Sequence, residues 1–325
     1  MTKLSTVILG ATGLVGQRLQ QRLEGHPLFE VVAISGSQST VGKKYSQLDW
    51  RLEGKRPNFE FTICNIDEIP DVDVAFSALP SDIAETIEPK LVGRGIHVFS
   101  NASTYRMAQG VPLVIPEINP EEMDGYSGHA CATNCTVIPI AMPLSGLTKF
   151  GIKSVNINTR QALSGAGWEL LFDKSALAGN VDSFIPGEEE KVLTELNYLL
   201  NLDCPVSVSC NRVAEPDGHI VEVELELANI QDIDSIKEAM MIPRLELPSS
   251  PQHPVMIIDD VPNREQHLWA GGEGLDAGMA TVVGGIKVDG DKVSFTALSH
   301  NTVRGAAGGV ILLAEFAAQL GYISK

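Results

Sequence analysis

The chain lacks any apolar run near the roughly 20 residues that a membrane-spanning helix needs, so nothing in it is expected to cross a bilayer. It is also short of positive charge, with 24 Lys and Arg against 41 Asp and Glu and a formal net charge of −17. That deficit argues against nucleic acid or an anionic membrane as partner. An anionic substrate would need a local basic pocket set against the overall field. Paired cysteine is missing as well. Cys64, Cys131, Cys135, Cys204 and Cys210 are odd in number and irregularly spaced, which fits neither a disulfide framework nor a paired zinc pattern. Cys131 and Cys135 stand four apart, but no matching Cys/His pair follows, and no metal site is expected. The N-terminal residues lack signal-peptide architecture. The expectation is a reducing, cytoplasmic setting in which a free thiol survives. Internal repeats, low-complexity tracts and long linkers are likewise not evident.

With 325 residues, the length suggests two domains rather than one. Apolar content of 44% and charged content of 20% are those of an ordinary soluble protein. Thr6-Val7-Ile8-Leu9 reads as a buried parallel strand. Gly10-Ala11-Thr12-Gly13-Leu14-Val15-Gly16 follows at once, and a helical pattern runs from about Leu14 to Leu23. Strand, glycine loop and helix in that order form a dinucleotide-binding signature. Glycine lets the backbone approach a pyrophosphate, and the helix N-terminus supplies N–H donors. The next strand, Phe29–Ile34, leads into Ser35-Gly36-Ser37-Gln38-Ser39-Thr40 and then Lys43 and Lys44. No carboxylate stands there to hold a ribose 2′-hydroxyl, and hydroxyls and lysines suit a 2′-phosphate, so NADP is favoured over NAD. Two further parallel strands are expected over Asp73–Pro80 and Gly95–Ser100. Arg106 follows in a polar loop, where its planar fork suits a phosphate or carboxylate.

Cys135 lies where this pattern ends. A free cysteine is most often a small buried hydrophobe. Here its neighbours Thr133, Asn134 and Thr136 are polar, and Val137–Met142 is apolar. That predicts a helix beginning about at the cysteine, whose N-terminal partial charge favours a thiolate. Beyond it, Ser154–Gln161 alternates as a half-buried strand into the glycine loop Ala162-Leu163-Ser164-Gly165-Ala166-Gly167. Glu188-Glu189-Glu190-Lys191 opens a helix running through Leu200, and Glu188 and Lys191 share a face of it. Val206–Val213 and His219–Leu227 also alternate, and the Pro216-Asp217-Gly218 turn between them predicts a hairpin flanked by Arg212 and His219. A second hairpin is expected from Met279–Lys287 and Lys292–Ser299 about Asp289-Gly290. His300 to Gly309 then leads into an apolar closing helix.

These segments, in this order and across nearly the whole chain, resemble aspartate-semialdehyde dehydrogenases, especially the archaeal and fungal branch. The resemblance is carried by the N-terminal glycine loop, Ser100–Ser103 with Arg106, Val111–Pro120 and Asn134-Cys135-Thr136. Gln161–Gly167, Gly187–Lys191 and His300–Gly308 carry it further. It implies an α/β chain made of a Rossmann dinucleotide-binding domain (1–134 with the closing helix, 303–325) and an α+β mixed-sheet catalytic and dimerisation domain (135–302). It implies Cys135 as nucleophile, His219 as acid/base and Gln161 orienting the acyl group. Arg212 would bind the substrate carboxylate and Glu188 its amine. Arg106, with Asn101 and Lys191, would bind phosphate. Gly10, Thr12, Gly13, Leu14, Val15, Ser35, Ser37, Ser77, Ser164, Gly165 and Asn301 would line the NADP site.

The activity implied is NADP-dependent reductive dephosphorylation of L-4-aspartyl phosphate, in the synthesis of lysine, threonine and methionine, by a homodimer or tetramer. An imidazole of ordinary pKa, about 6.5, would suit both proton-transfer roles. Two departures stand out. The family's Asn-Pro-Asn-Cys appears as Ala132-Thr133-Asn134-Cys135, without the proline. Its phosphate-loop arginine after the second strand is absent. Other readings are a sister reductase acting on N-acetylglutamyl phosphate or an acyl-CoA, and a non-catalytic NADP-binding sensor. A short-chain dehydrogenase is disfavoured because no tyrosine has lysine four residues on.

Overall fold

The computed structural model describes residues 2–323, so Met1, Ser324 and Lys325 at the outer ends of the expected domains lie outside it. The described chain divides into two compact units. The first takes in residues up to Pro116, Pro120–Ala132 and the chain from Ala306 onward; the second takes in Glu117–Asn119 and Thr133–Gly305.

The first unit is built on five parallel strands, β1 (Leu4–Leu9), β2 (Phe29–Ile34), β3 (Val74–Ser77), β4 (His97–Ser100) and β5 (His129–Cys131). Their order is β2-β1-β3-β4-β5. Both faces of a parallel sheet are covered, so its strands read as continuous apolar runs rather than alternating ones. Val7, Leu9, Ala75 and Val98 point into one core with Ala84, Ile87 and Leu91 of α2 (Ser81–Gly93). α1 (Leu14–Leu23) packs on β1 and β2. The closing helix α9 (Gly308–Gln319) packs on β4 and α1. It is anchored by a fully buried pair in which His26 Nε2 meets Glu315 Oε1 at 2.8 Å. The chain leaves β1 in one direction for β2 and later returns to its other side for β3. The carboxyl ends of β1 and β3 therefore form the switch point at which open α/β sheets bind ligands.

The second unit is a six-stranded mixed sheet in the order β7-β6-β8-β11-β10-β9. Its strands are β6 (Ile152–Gln161), β7 (Val206–Arg212), β8 (His219–Leu227), β9 (Val255–Ile257), β10 (Thr281–Asp289) and β11 (Lys292–Ser299). One face carries α3 (Ile138–Leu147), α6 (Glu188–Leu200) and α7 (Ile233–Met240). Short helices α4 (Trp168–Leu171), α5 (Lys174–Leu177) and α8 (Arg264–His267) lie in the connections. The other face is polar, with Asn156, Asn158, Glu224 and Lys292 exposed. That asymmetry is why β6 alternates where β3 does not.

Two expectations are corrected. The hairpin expected around Pro216-Asp217-Gly218 does not form. β6 lies between β7 and β8, parallel to the first and antiparallel to the second. Residues 213–218 are enough to cross one intervening strand, about 10 Å at the usual strand spacing. The hairpin of β10 and β11 does form, with Asp289 opposite Lys292. The helix expected to begin at Cys135 begins at Ile138 instead, and Cys135–Val137 form a turn. Asn134 sets that turn: its Oδ1 accepts the Thr136 N–H at 2.8 Å, and its carbonyl accepts the Val137 N–H at 3.0 Å.

Close backbone approach is testable at Gly16. A Cβ there would come within 2.2 Å of the Gly10 carbonyl oxygen and 2.8 Å of Ala11 Cα. Gly16→Ala is expected to cost about 1–3 kcal/mol through overpacking, read as a lower urea midpoint, and to weaken dinucleotide binding measured by fluorescence titration.

Candidate active site

The topology of the second unit collects four side chains at one end of its strands. β6 and β7 are parallel, so both end there, and Gln161 stands opposite Arg212. β8 runs the other way, so it begins there, with His219 as its first residue. Glu188 opens α6 behind the left-handed Gly187, φ +68°. The turn bearing Cys135 leads into α3, which packs on this sheet.

Cys135 Sγ lies 3.3 Å from His219 Nε2. His219 Nδ1 accepts the Ala162 backbone N–H at 3.1 Å. A nitrogen that accepts carries no proton, so the neutral ring holds its proton on Nε2 and donates it toward the sulfur. Burial first, then the positive charges of Arg212 and Arg264, push the imidazole down to about 3. The expectation of an ordinary imidazole is therefore corrected, because full burial penalises the charged ring. Arg212 donates to the Ala162 carbonyl at 2.7 Å and feels the Cys135 charge. A Cβ at Gly165 would sit 2.7 Å from Arg212 Nη1 and 3.3 Å from the His219 ring. Only a residue without a side chain leaves those groups in place.

Glu188 is buried and turned toward the neighbours of Cys135, while Lys191 is exposed. Glu188 Oε1 accepts from Asn134 Nδ2 at 3.0 Å, Thr136 Oγ1 at 3.1 Å and Gln161 Nε2 at 3.3 Å. Glu195 was not foreseen. Buried seven residues further along α6, it accepts the Asn134 N–H at 2.6 Å. Its two-turn spacing from Glu188 was the available signal, since i and i+7 share a helix face. Gly305 was also missed as a contact. A Cβ there would lie 2.6 Å from Cys135 Cβ, in a π-helical turn, Val303–Ala307, of the kind often found at functional sites. Asn301 Oδ1 accepts the Gly218 N–H and its Nδ2 donates to Ser164 Oγ, both at 2.8 Å. It thereby ties the turn before His219 to the glycine loop.

The other cysteines differ from Cys135. Cys131 is fully buried in β5. Burial pushes the Cys210 thiol up to about 11 and raises Cys64 and Cys204. Among the described residues no group of three or more His, Cys, Asp or Glu could hold a metal, and no helix is long and apolar enough to cross a membrane.

The first unit holds the other candidate cofactor residues. Gly10 adopts φ +73°, where a Cβ would meet the Ala78 carbonyl oxygen at 2.5 Å. The loop from β1 thus presses directly on the one from β3, at the switch point. Gly13 caps α1, whose first turn has no acidic residue; Thr12 and Val15 are half-buried there and Leu14 is buried. Ser35 follows β2 and Ser77 ends β3, and their Oγ atoms are buried with no hydrogen-bond partner among the described residues. Ser37 is exposed. A helix N-terminus with no acidic residue in its first turn and two orphaned hydroxyls fit the phosphates and ribose of a nicotinamide dinucleotide. In the loop after β4, Arg106 Nη2 donates to the Asn101 carbonyl at 2.8 Å, which brings those two expected phosphate ligands together.

Comparison with known proteins agrees with this division. The family model for the semialdehyde dehydrogenase NAD binding domain matches residues 5–126, and that for the semialdehyde dehydrogenase dimerisation domain matches residues 143–304. The aspartate-semialdehyde dehydrogenase of Archaeoglobus fulgidus is 40% identical, covering 96% of this chain and 97% of its own. The crystal structure of aspartate semialdehyde dehydrogenase with NADP from Candida albicans superposes with a TM-score of 0.83 at 30% identity, over 99% of this chain and 100% of that one. A malonyl CoA reductase (NADP) of Metallosphaera sedula is 32% identical, over 99% of both chains.

The depressed His219 has a measurable consequence for stability. Below about 6.5 the unfolded chain binds a proton at this residue that the folded chain refuses until about 3. Its contribution is therefore complete above the unfolded value and is lost progressively as pH falls from 6.5 toward 3. Urea unfolding from pH 7 to pH 4 is expected to show a steeper loss of stability in the wild type than in His219→Asn. Parallel curves would refute the assignment.

Proposed function

The chain belongs to the aspartate-semialdehyde dehydrogenase family, and from that premise we propose that it interconverts L-4-aspartyl phosphate and L-aspartate 4-semialdehyde through a thioester on Cys135, with NADP and inorganic phosphate. The observation that carries the reading is the Cys135–His219 contact at 3.3 Å, ringed by Gln161, Arg212 and Glu188. The protein would act in the cytoplasm as a homodimer or tetramer, in the route to lysine, threonine and methionine.

The chemistry follows from that geometry. A thiolate both adds well to an acyl carbon and leaves well. The Nε2–H of His219 donates to the Cys135 sulfur and so stabilises its thiolate. Attack on the acyl phosphate forms the C–S bond and expels phosphate, for which Arg106, Asn101 and Lys191 are the proposed ligands. Arg212 has the charge and planar fork to hold the substrate α-carboxylate. Glu188 keeps Oε2 for the ammonium while Oε1 holds Asn134, Thr136 and Gln161. Nicotinamide dinucleotide, when bound, supplies the hydride for the thioester carbon. The resulting oxyanion is stabilised by hydrogen-bond donors, each worth roughly 3–4 kcal/mol in comparable sites; His219 Nε2–H is one. Gln161 would orient the same acyl group. As the aldehyde leaves, the C–S bond breaks and sulfur regains its contact with Nε2–H. Gly10, Thr12, Gly13, Leu14, Val15, Ser35, Ser37 and Ser77 are the proposed cofactor residues of the first unit, and Ser164, Gly165 and Asn301 those of the second. The absence of a carboxylate after β2 favours the 2′-phosphate of NADP.

A second reading, an acyl-CoA reductase, draws on the Metallosphaera relative and on the missing proline before Asn134. Arg212 and Glu188, which suit an amino acid, weigh against it. Reduction of NADP and NAD by aspartate semialdehyde, with and without phosphate, separates the two. The wild type is expected to require phosphate and prefer NADP, and Cys135→Ala to retain less than about one part in 10³ of the rate. Silence with this aldehyde but turnover of malonyl-CoA would replace the substrate. Activity surviving in Cys135→Ala would remove the mechanism.

A further inference from the structure

Cys135, His219 and Gln161 must hold one spacing, yet the latter two stand where the β6–β8 ladder stops. Its register runs as far as Arg160 opposite Ile220 and no further toward the site. Arg264, the first residue of α8, spans that end. Its Nε donates to the Gly218 carbonyl and its Nη2 to the Arg160 carbonyl, both at 3.0 Å. Gly218 and Arg160 immediately precede His219 and Gln161. We propose that Arg264 is a positioning residue for the reaction proposed above, clamping the backbone before His219 and Gln161 so that both side chains stay in register with Cys135.

The residue type matters. One planar fork reaches two carbonyls at a fixed separation, whereas a lysine ammonium on a flexible stem is a point donor that holds one. Leu268, one turn on, packs against the same glycine, since a Cβ at Gly218 would lie 2.9 Å from Leu268 Cδ1 and 3.3 Å from Arg264 Cγ. The charged and titratable groups facing His219 are Cys135, Arg212 and Arg264. Those facing Arg264 are Glu215 and Arg160, and Arg160 is itself paired with Glu222. Arg264 therefore adds positive charge beside His219 as well as holding its backbone, in keeping with the neutral ring.

The test uses the full chain with Arg264→Met and Arg264→Lys. Two quantities are read: kcat and KM with aspartate semialdehyde, NADP and phosphate, and the rate of Cys135 alkylation by iodoacetamide at pH 7, located by peptide mass spectrometry. Arg264→Met is expected to lower kcat about 100-fold, the scale of a misplacement of about 1 Å, with KM within about threefold of wild type. Alkylation should slow severalfold, toward the rate in His219→Asn, as the sulfur loses its donor. Arg264→Lys should recover only part of both. A folded Arg264→Met with wild-type kcat and alkylation, or a loss confined to KM, overturns the proposal. If Arg264→Met does not fold, Arg264→Lys decides alone: wild-type kcat overturns it, and a reduced kcat at unchanged KM supports it. If the wild type is silent with this aldehyde, the functional reading fails by itself, and the alkylation rates, which need no substrate, still decide the clamp.

Discussion

The Ala162 N–H aimed at His219 Nδ1 is the constraint on which the chemistry of the second unit depends. A backbone donor cannot rotate away or change protonation, so it leaves the imidazole one neutral form, with the proton on Nε2. The same residue's carbonyl is held by Arg212, and Ala162 directly follows Gln161 in the chain. One residue thus couples three of the four groups at this end of the strands. With burial holding the ring neutral, His219 stands as a donor to the Cys135 sulfur.

Another side of the Cys135 turn is held by carboxylates. Glu188 and Glu195 are buried on one face of α6, where isolated charges would be strongly disfavoured. Each is met by donors from the Cys135 turn, two side chains and one backbone N–H. Buried charge that is hydrogen-bonded gives directional specificity, since losing one partner leaves the other unpaired. Negative charge here works against a thiolate, so the balance rests on Arg212 and on the His219 Nε2–H across the turn. Gly305 sets the third wall by contact alone. The turn carrying Cys135 is thereby fixed by hydrogen bonds from below, a ring from one side and backbone packing from another, before any substrate arrives.

Much of this was legible in one dimension, and the exceptions have a common cause. The glycine loop after β1, the helix from Leu14, the strands at Phe29 and His219 and the helix from Glu188 are set by local terms. Those terms are φ/ψ preference at glycine, apolar periodicity and helix-start residues. Cys135, Gln161, Arg212 and His219 could be singled out because their segments repeat a family pattern, and the structure brings them together. The β7–β8 hairpin was misjudged because alternation and a Pro-Asp-Gly turn are equally compatible with pairing to each other or to a shared neighbour. The helix start was misplaced by three residues because the Val137 N–H closes a tight turn onto the Asn134 carbonyl, and i→i+4 bonding starts only at the Val137 carbonyl.

By itself, then, the order of residues determined which segments are strand, helix and loop, which thiol has polar company, and that a dinucleotide loop precedes it. Those follow from interactions spanning a few positions. What only the tertiary structure decided is that β6 separates β7 from β8, that His219 is a buried neutral donor, and that Glu195 and Gly305 lie against the Cys135 turn and Arg264 against the backbone before His219. Burial, tautomer and strand order are set by groups tens to hundreds of residues away. No local pattern encodes a desolvation or a hydrogen bond whose partner is supplied by another element.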